Sequence, residues 1–139
     1  MGNNTIITIE TKINSEIEKV WQLWTLPEHI INWCFASDDW CAPAAENDIV
    51  TGGKFKTVMA ARDGSMSFDF EGIYSEVIPL KLIKYSMADG RTVEIHFSNE
   101  DNFTKVIESF EAETTNSLEM QQAGWQSILD NFKKYVENN

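Results

Sequence analysis

From Gly52 to about Phe110, apolar and polar residues alternate in one short run after another, each bounded by turn residues. Phe55, Thr57 and Met59 alternate until Asp63-Gly64 supplies hairpin chemistry. Met66, Phe68 and Phe70 resume the pattern with Asp69 and Glu71 opposite them, and Gly72 is expected to mark a bulge. Beyond Pro79 comes a strand from Leu82 to Met87, and Asp89-Gly90 turns into Val93, Ile95 and Phe97. The last strand runs from Phe103 to Phe110. Thr104, Val106, Glu108 and Phe110 share one of its faces, Phe103, Lys105 and Ile107 the other; periodicity leaves open which is inside. After the polar segment Glu113 to Asn116 the period becomes helical. Asn116 or Ser117 caps a helix to about Val136, with Leu118, Trp125, Ile128, Leu129, Phe132 and Val136 on one stripe and Gln121 and Gln122 on that same stripe near its N-terminal end.

Ahead of this block, TIITIETKI places Ile7, Ile9, Thr11 and Ile13 on one strand face. Ser15 with Glu18 has capping-box spacing, and Ile17, Val20, Trp21 and Trp24 follow at helical intervals. Pro27 opens a second short helix carrying Ile30, Ile31 and Cys34. The order is strand, two short helices, about six strands, long helix. It implies an α+β fold over residues 1–139, a curved antiparallel sheet of about six to seven strands around the C-terminal helix. Such a sheet leaves a hollow wherever the facing side chains do not fill it. Two glutamines on the covering stripe suit a hollow better than a dry core, because a buried amide without partners costs about 1–3 kcal/mol.

Charge narrows the partners. A net charge of −11 repels phosphate backbones and anionic lipid surfaces, so neither nucleic acid nor membrane is expected. MGNNTIITIETK lacks the basic start and apolar stretch of a secretory leader, which points to a cytoplasmic protein. Cys34 and Cys41 are too few for a disulfide framework, and with His29 they match no zinc spacing, so reduced thiols and no metal or cofactor are expected. Five tryptophans and eight phenylalanines can wall a large core or a cavity.

The stretches VWQLWTLPEHIINW, NDIVTGGKFK, DGSMSFDFEGIYSEVIP, TKVIESFEAE and EMQQAGWQSILDNFKKYVE resemble the START-like (SRPBCC) superfamily with its helix-grip fold. The branch they are most similar to is named after the activator of the heat-shock-protein-ninety ATPase and is grouped with polyketide-resistance ligand binders and cyclases. The resemblance implies a deep cavity between sheet, short helices and C-terminal helix. Trp33, Phe35, Phe55, Met59, Phe68, Phe70 and Trp125 would line or close it, together with Trp24, and Gln121 would be a polar fixing group. Co-chaperone members carry an additional N-terminal domain that grips the chaperone, for which 139 residues leave no room. The fold hosts many functions, so the function must be argued from the site.

In SDDWCAPAAENDIVTGGKFK, residues 37–56, Asp38 and Asp39 read as solvated or capping carboxylates rather than an acid/base pair. Trp40 and Pro43 are expected over the cavity mouth, and Gly52-Gly53 to serve backbone geometry. The stretch reads as pocket wall. The weak catalytic candidates are Glu108, Asp69 and His96. His96 alternates away from the apolar face, Arg91 suits a carboxylate clamp, and Glu108, if its face is concave, would have a raised pKa. Three functions follow: binding of a small hydrophobic molecule, a cyclase or hydrolase in the same cavity, and a chaperone-associated module tied to stress response. Monomer and homodimer are both open.

Overall fold

A computed structural model of the chain describes residues 5–139. The expectation of no leader draws partly on Met1 to Asn4, which lie outside the described residues. The elements are β1 (Ile6–Ile13), α1 (Ile17–Thr25), α2 (Pro27–Ile30), β2 (Trp40–Asn47), β3 (Lys54–Ala61), β4 (Ser67–Ile78), β5 (Leu82–Met87), β6 (Thr92–Asn99), β7 (Thr104–Glu111) and α3 (Leu118–Glu137). All seven strands join one antiparallel sheet in the order β1-β7-β6-β5-β4-β3-β2, curled around α3. Consecutive strands pair by short connections, and β1 adds to the free edge of β7.

Register decides the concave face. Ile83, Ile95, Glu108 and Ile9 form one row across β5, β6, β7 and β1; Tyr85, Val93, Phe110 and Ile7 form the next. Thr104, Val106, Glu108 and Phe110 are therefore the inner face of β7, and all four are buried. Leu129, Phe132 and Val136 of α3 are buried in the same core, as are Ile13 and Val20.

Several local expectations change. Residues 40–47, to which the sequence pattern assigns no strand, form an edge strand. WCAPAAEN lacks apolar alternation and contains Pro43, which has no N–H for a ladder; the register slips between Cys41 and Ala44 to accommodate it. The Ser15–Glu18 capping box does not form: α1 starts at Ile17 behind Glu16, with no side-chain cap. Ser15 is engaged through its carbonyl, which accepts a 2.8 Å hydrogen bond from the buried Thr104 hydroxyl. The helix at Pro27 ends at Ile30, and Ile31 just past it is exposed. At the start of α3, Ser117 is the cap, its Oγ accepting from Met120 N at 3.1 Å. Leu118 and Gln122 are exposed there, because Gln121 occupies the inward position.

The two expected backbone glycines shape one turn, Gly52 through its positive φ and Gly53 through close packing. Gly52 has φ +87° and Gly53 approaches so closely that a Cβ would lie 2.1 Å from the Asp48 carbonyl oxygen. Both also bond Tyr74 of β4, through Gly52 N to Tyr74 O at 2.8 Å and Tyr74 N to Gly53 O at 2.9 Å. Gly53→Ala should therefore cost at least about 2 kcal/mol of stability; a melting temperature equal to wild type would refute this reading of the loop. Gly72 is not a bulge. It stands in regular register opposite Phe55 and Met87, where a Cβ would meet the Ser86 carbonyl oxygen at 2.6 Å and the Phe55 ring at 2.8 Å. The irregularity falls later, between Tyr74 and Glu76.

Candidate functional site

The inner face of the sheet, the segment after α2 and the middle of α3 do not fill the space they surround. A cavity of about 300 Å³ lies between them. Aromatic rings wall it because inward strand positions and the α3 stripe both carry them. Trp125 of α3 stacks on Phe110 with centroids 4.0 Å apart and planes 10° apart, and meets Phe70 edge-on at 6.2 Å. Phe55 packs edge-to-face on Tyr85 at 4.7 Å and on Phe70 at 5.5 Å. On the helical side Trp24 and Trp33 lie 4.9 Å apart, each against Phe132. Trp33 is anchored by its indole N–H, which donates to Leu23 O at 3.0 Å. Asn131 of α3 secures the same segment by donating to the Trp33 and Phe35 carbonyls.

Some polar lining groups are already paired. The Tyr74 hydroxyl donates to Asn47 Oδ1, and Asn47 Nδ2 donates to Thr25 O at 2.7 Å, joining β4, β2 and the end of α1. Glu108 is different. It is only 6% exposed, and among the described residues nothing donates a hydrogen bond to its carboxyl. No fully enclosed side-chain oxygen or nitrogen among these residues lacks a partner, so the Glu108 oxygens face cavity space. The Tyr85 hydroxyl is in the same position: buried, lining the cavity and without a hydrogen bond among the described residues.

Burial sets the protonation states. Loss of solvation pushes the Glu108 carboxyl up to about 8, so it is mainly the neutral acid at pH 7. Burial, and then the Glu108 charge, push the Cys34 thiol up to about 12. Tyr85 is raised well above the usual phenol range, by burial first and Glu108 next. Cys34 and Cys41 are free thiols, Cys34 within the cavity wall.

Of the residues anticipated from sequence, Trp24, Trp33, Phe55, Met59, Phe68, Phe70, Arg91, Glu108 and Trp125 line the cavity. Phe68 is half exposed and marks where the cavity meets solvent, with Trp40 against it at 5.9 Å. Trp40 and Phe35 pack beside the cavity rather than on its wall. Arg91 is not a free clamp: its Nε contacts Asp89 Oδ2 at 2.7 Å and Nη1 donates to Glu111 O at 3.3 Å. Asp69 and His96 point away from the cavity. Asp69 is exposed and ion-paired with Lys56 at 3.6 Å, and the exposed His96 lies 2.7 Å from Glu94. Asp38 and Asp39 are exposed, and their carbonyls accept from Arg62 Nε and Arg62 N.

Gln121 is buried but serves a loop. Its Oε1 accepts from Glu113 N at 2.8 Å, and its Nε2 donates to the Glu113 and Asn116 carbonyls at 3.1 and 2.9 Å. Gln121→Ala should cost about 2–3 kcal/mol by leaving these groups unpaired while leaving cavity ligands bound; denaturation curves and a binding titration on the same variant check both halves. Sequence reasoning missed Tyr85, Tyr74 and Cys34 as lining residues. The signal for Tyr85 was present, since Ile83, Tyr85 and Met87 alternate in LIKYSM.

A curled antiparallel sheet gripping one long C-terminal helix over a cavity defines the START-like helix-grip class. Within it, residues 14–137 match the family described as Activator of Hsp90 ATPase homolog 1-like protein, and the chain belongs to that family. The solution structure of the AHSA1-like protein from Aeromonas hydrophila is similar at 46% identity, covering 96% of this chain and 93% of that one, with a TM-score of 0.91. A Cytophaga hutchinsonii protein is 52% identical over 99% of this chain and 94% of its own, with a TM-score of 0.83. A Chromobacterium violaceum protein shares the fold at 20% identity, covering 97% and 99%, with a TM-score of 0.86. Among curated proteins no sequence matches significantly. No helix among the described residues is long and apolar enough to cross a membrane.

Proposed function

We propose that the protein binds a small, mostly apolar molecule in the cavity between its sheet and α3. The observation that carries this reading is an unfilled space of about 300 Å³ whose aromatic wall includes two polar groups, Glu108 and Tyr85, without hydrogen bonds among the described residues. Small-molecule sites have this design, an apolar enclosure with a few polar groups that set orientation, in volumes from roughly 300 Å³ upward. Native mass spectrometry of freshly purified protein tests it: a non-covalent small-molecule adduct is expected, lost on denaturation. An adduct-free mass, together with no NMR shift at Tyr85, Glu108 or Trp125 on adding millimolar 4-phenylbutanol, would refute the proposal.

A second reading has its own support. A carboxyl pushed to about 8 in a buried cavity is suited to general acid/base work near neutral pH. A cyclase- or hydrolase-type reaction on the bound molecule would then run through Glu108. Turnover of an identified ligand that disappears in Glu108→Gln while binding persists would establish it, and turnover retained in that variant would dismiss Glu108 as the acid/base group.

A further inference from the structure

We propose that the guest's polar head is a cation, an alkyl- or arylammonium group seated between the Glu108 carboxylate and the surrounding aromatic rings. This rests on the ligand-binding reading above and names the chemistry of its head group.

Three observations converge. Glu108 is a buried carboxyl that faces the void with no donor among the described residues, so its strongest pairing capacity is left for a guest. A charge-assisted bond to it is roughly twice as strong as a neutral one, and low-dielectric surroundings increase the difference. Second, Phe55, Phe70, Tyr85 and Trp125 line the same space, and ring faces attract ammonium groups. Third, the chain's net charge of −11 concentrates cations and repels anions around the molecule.

The other charged groups of the wall are Glu46 on β2 and Arg91 before β6. Arg91 is held by Asp89 and the Glu111 carbonyl, so it does not neutralise Glu108. Facing Glu108 from the other elements are Cys34 after α2 and Tyr85 on β5, both held neutral by burial. Its in-register neighbours Ile9 and Ile95 carry no charge. An ammonium guest therefore meets one group that can change protonation near neutral pH. Binding converts the acid to the carboxylate, and the displaced proton leaves to solvent.

Three matched probes test the assignment: 4-phenylbutylamine, 4-phenylbutanol and 4-phenylbutanoate, titrated calorimetrically at pH 7. The amine is expected to bind at least roughly tenfold tighter than the alcohol, and the carboxylate weakest. Repeating the amine titration in buffers of different ionisation enthalpy should read release of nearly one proton, against none for the alcohol. In Glu108→Gln the preference for the amine over the alcohol should collapse and the proton release vanish. Equal affinities of amine and alcohol, a preference that survives Glu108→Gln, or tightest binding of the carboxylate would each overturn the cation assignment yet leave a binding cavity. Failure of all three to bind, together with an adduct-free native mass, would overturn both readings.

Discussion

Glu108→Gln should make the protein more stable, by about 3 kcal/mol at pH 7, with the gain below about 1 kcal/mol at pH 5 and levelling off above about pH 8. The sign follows from the direction of the shift. Burial raises the carboxyl from its ordinary 4.5 to about 8, so the unfolded chain ionises first as pH rises. Wild-type stability is then complete below the unfolded value and falls through the interval up to the folded one. Glutamine keeps the shape of the neutral acid and does not titrate, so the loss disappears. Urea denaturation of both proteins at pH 5, 7 and 9 measures it, and a difference that stays flat with pH would mean Glu108 is not a desolvated neutral acid. A residue that lowers stability at neutral pH is typical of a site kept for function.

Trp125→Ala carries the second large effect, on affinity and stability together. The indole stacks on Phe110, touches Phe70 and forms the α3 side of the cavity. Its removal should cost about 2–4 kcal/mol, less than a fully enclosed tryptophan because Trp125 is only partly buried. Affinity for 4-phenylbutylamine should fall by more than about tenfold, since a ring contact and the tight enclosure both go. Trp125→Phe should recover most of the loss. Unchanged affinity in the alanine variant, at a temperature where it is folded, would place the binding site elsewhere.

The two effects have opposite signs on stability, which separates the roles of the residues. Trp125 is both wall and structural support, whereas Glu108 adds nothing to the fold at neutral pH. Gly53 and Gln121 are structural only, one by permitting a close backbone approach and the other by satisfying loop groups.

Element type was readable where residues repeat with a period. The strands carrying Phe55, Ile83, Val93 and Val106, and the stripe ending at Phe132 and Val136, needed only alternation and helical spacing. β2 was hidden because Pro43 and a string of small residues erase the alternation, and its pairing comes from the neighbouring β3. The Ser15 cap is absent because α1 begins one residue later, behind Glu16, a boundary that capping-box spacing alone does not reveal. Gln121 was rightly placed inward, but its partners are loop amides and carbonyls whose positions no local pattern specifies.

Local order in the chain was sufficient to determine the succession of elements and the aromatic character of whatever they enclose, because side-chain direction follows backbone period. Only the tertiary structure decided that Glu108 faces inward, since a strand's two faces are equivalent until neighbours bury one of them. It also decided that this carboxyl meets empty space rather than a donor. Ile9 and Ile95 flank it through register, and Tyr85 and Trp125 arrive from other elements. Burial and pairing are properties of that assembly, and they turn an ordinary glutamate into the group on which the cavity's chemistry depends.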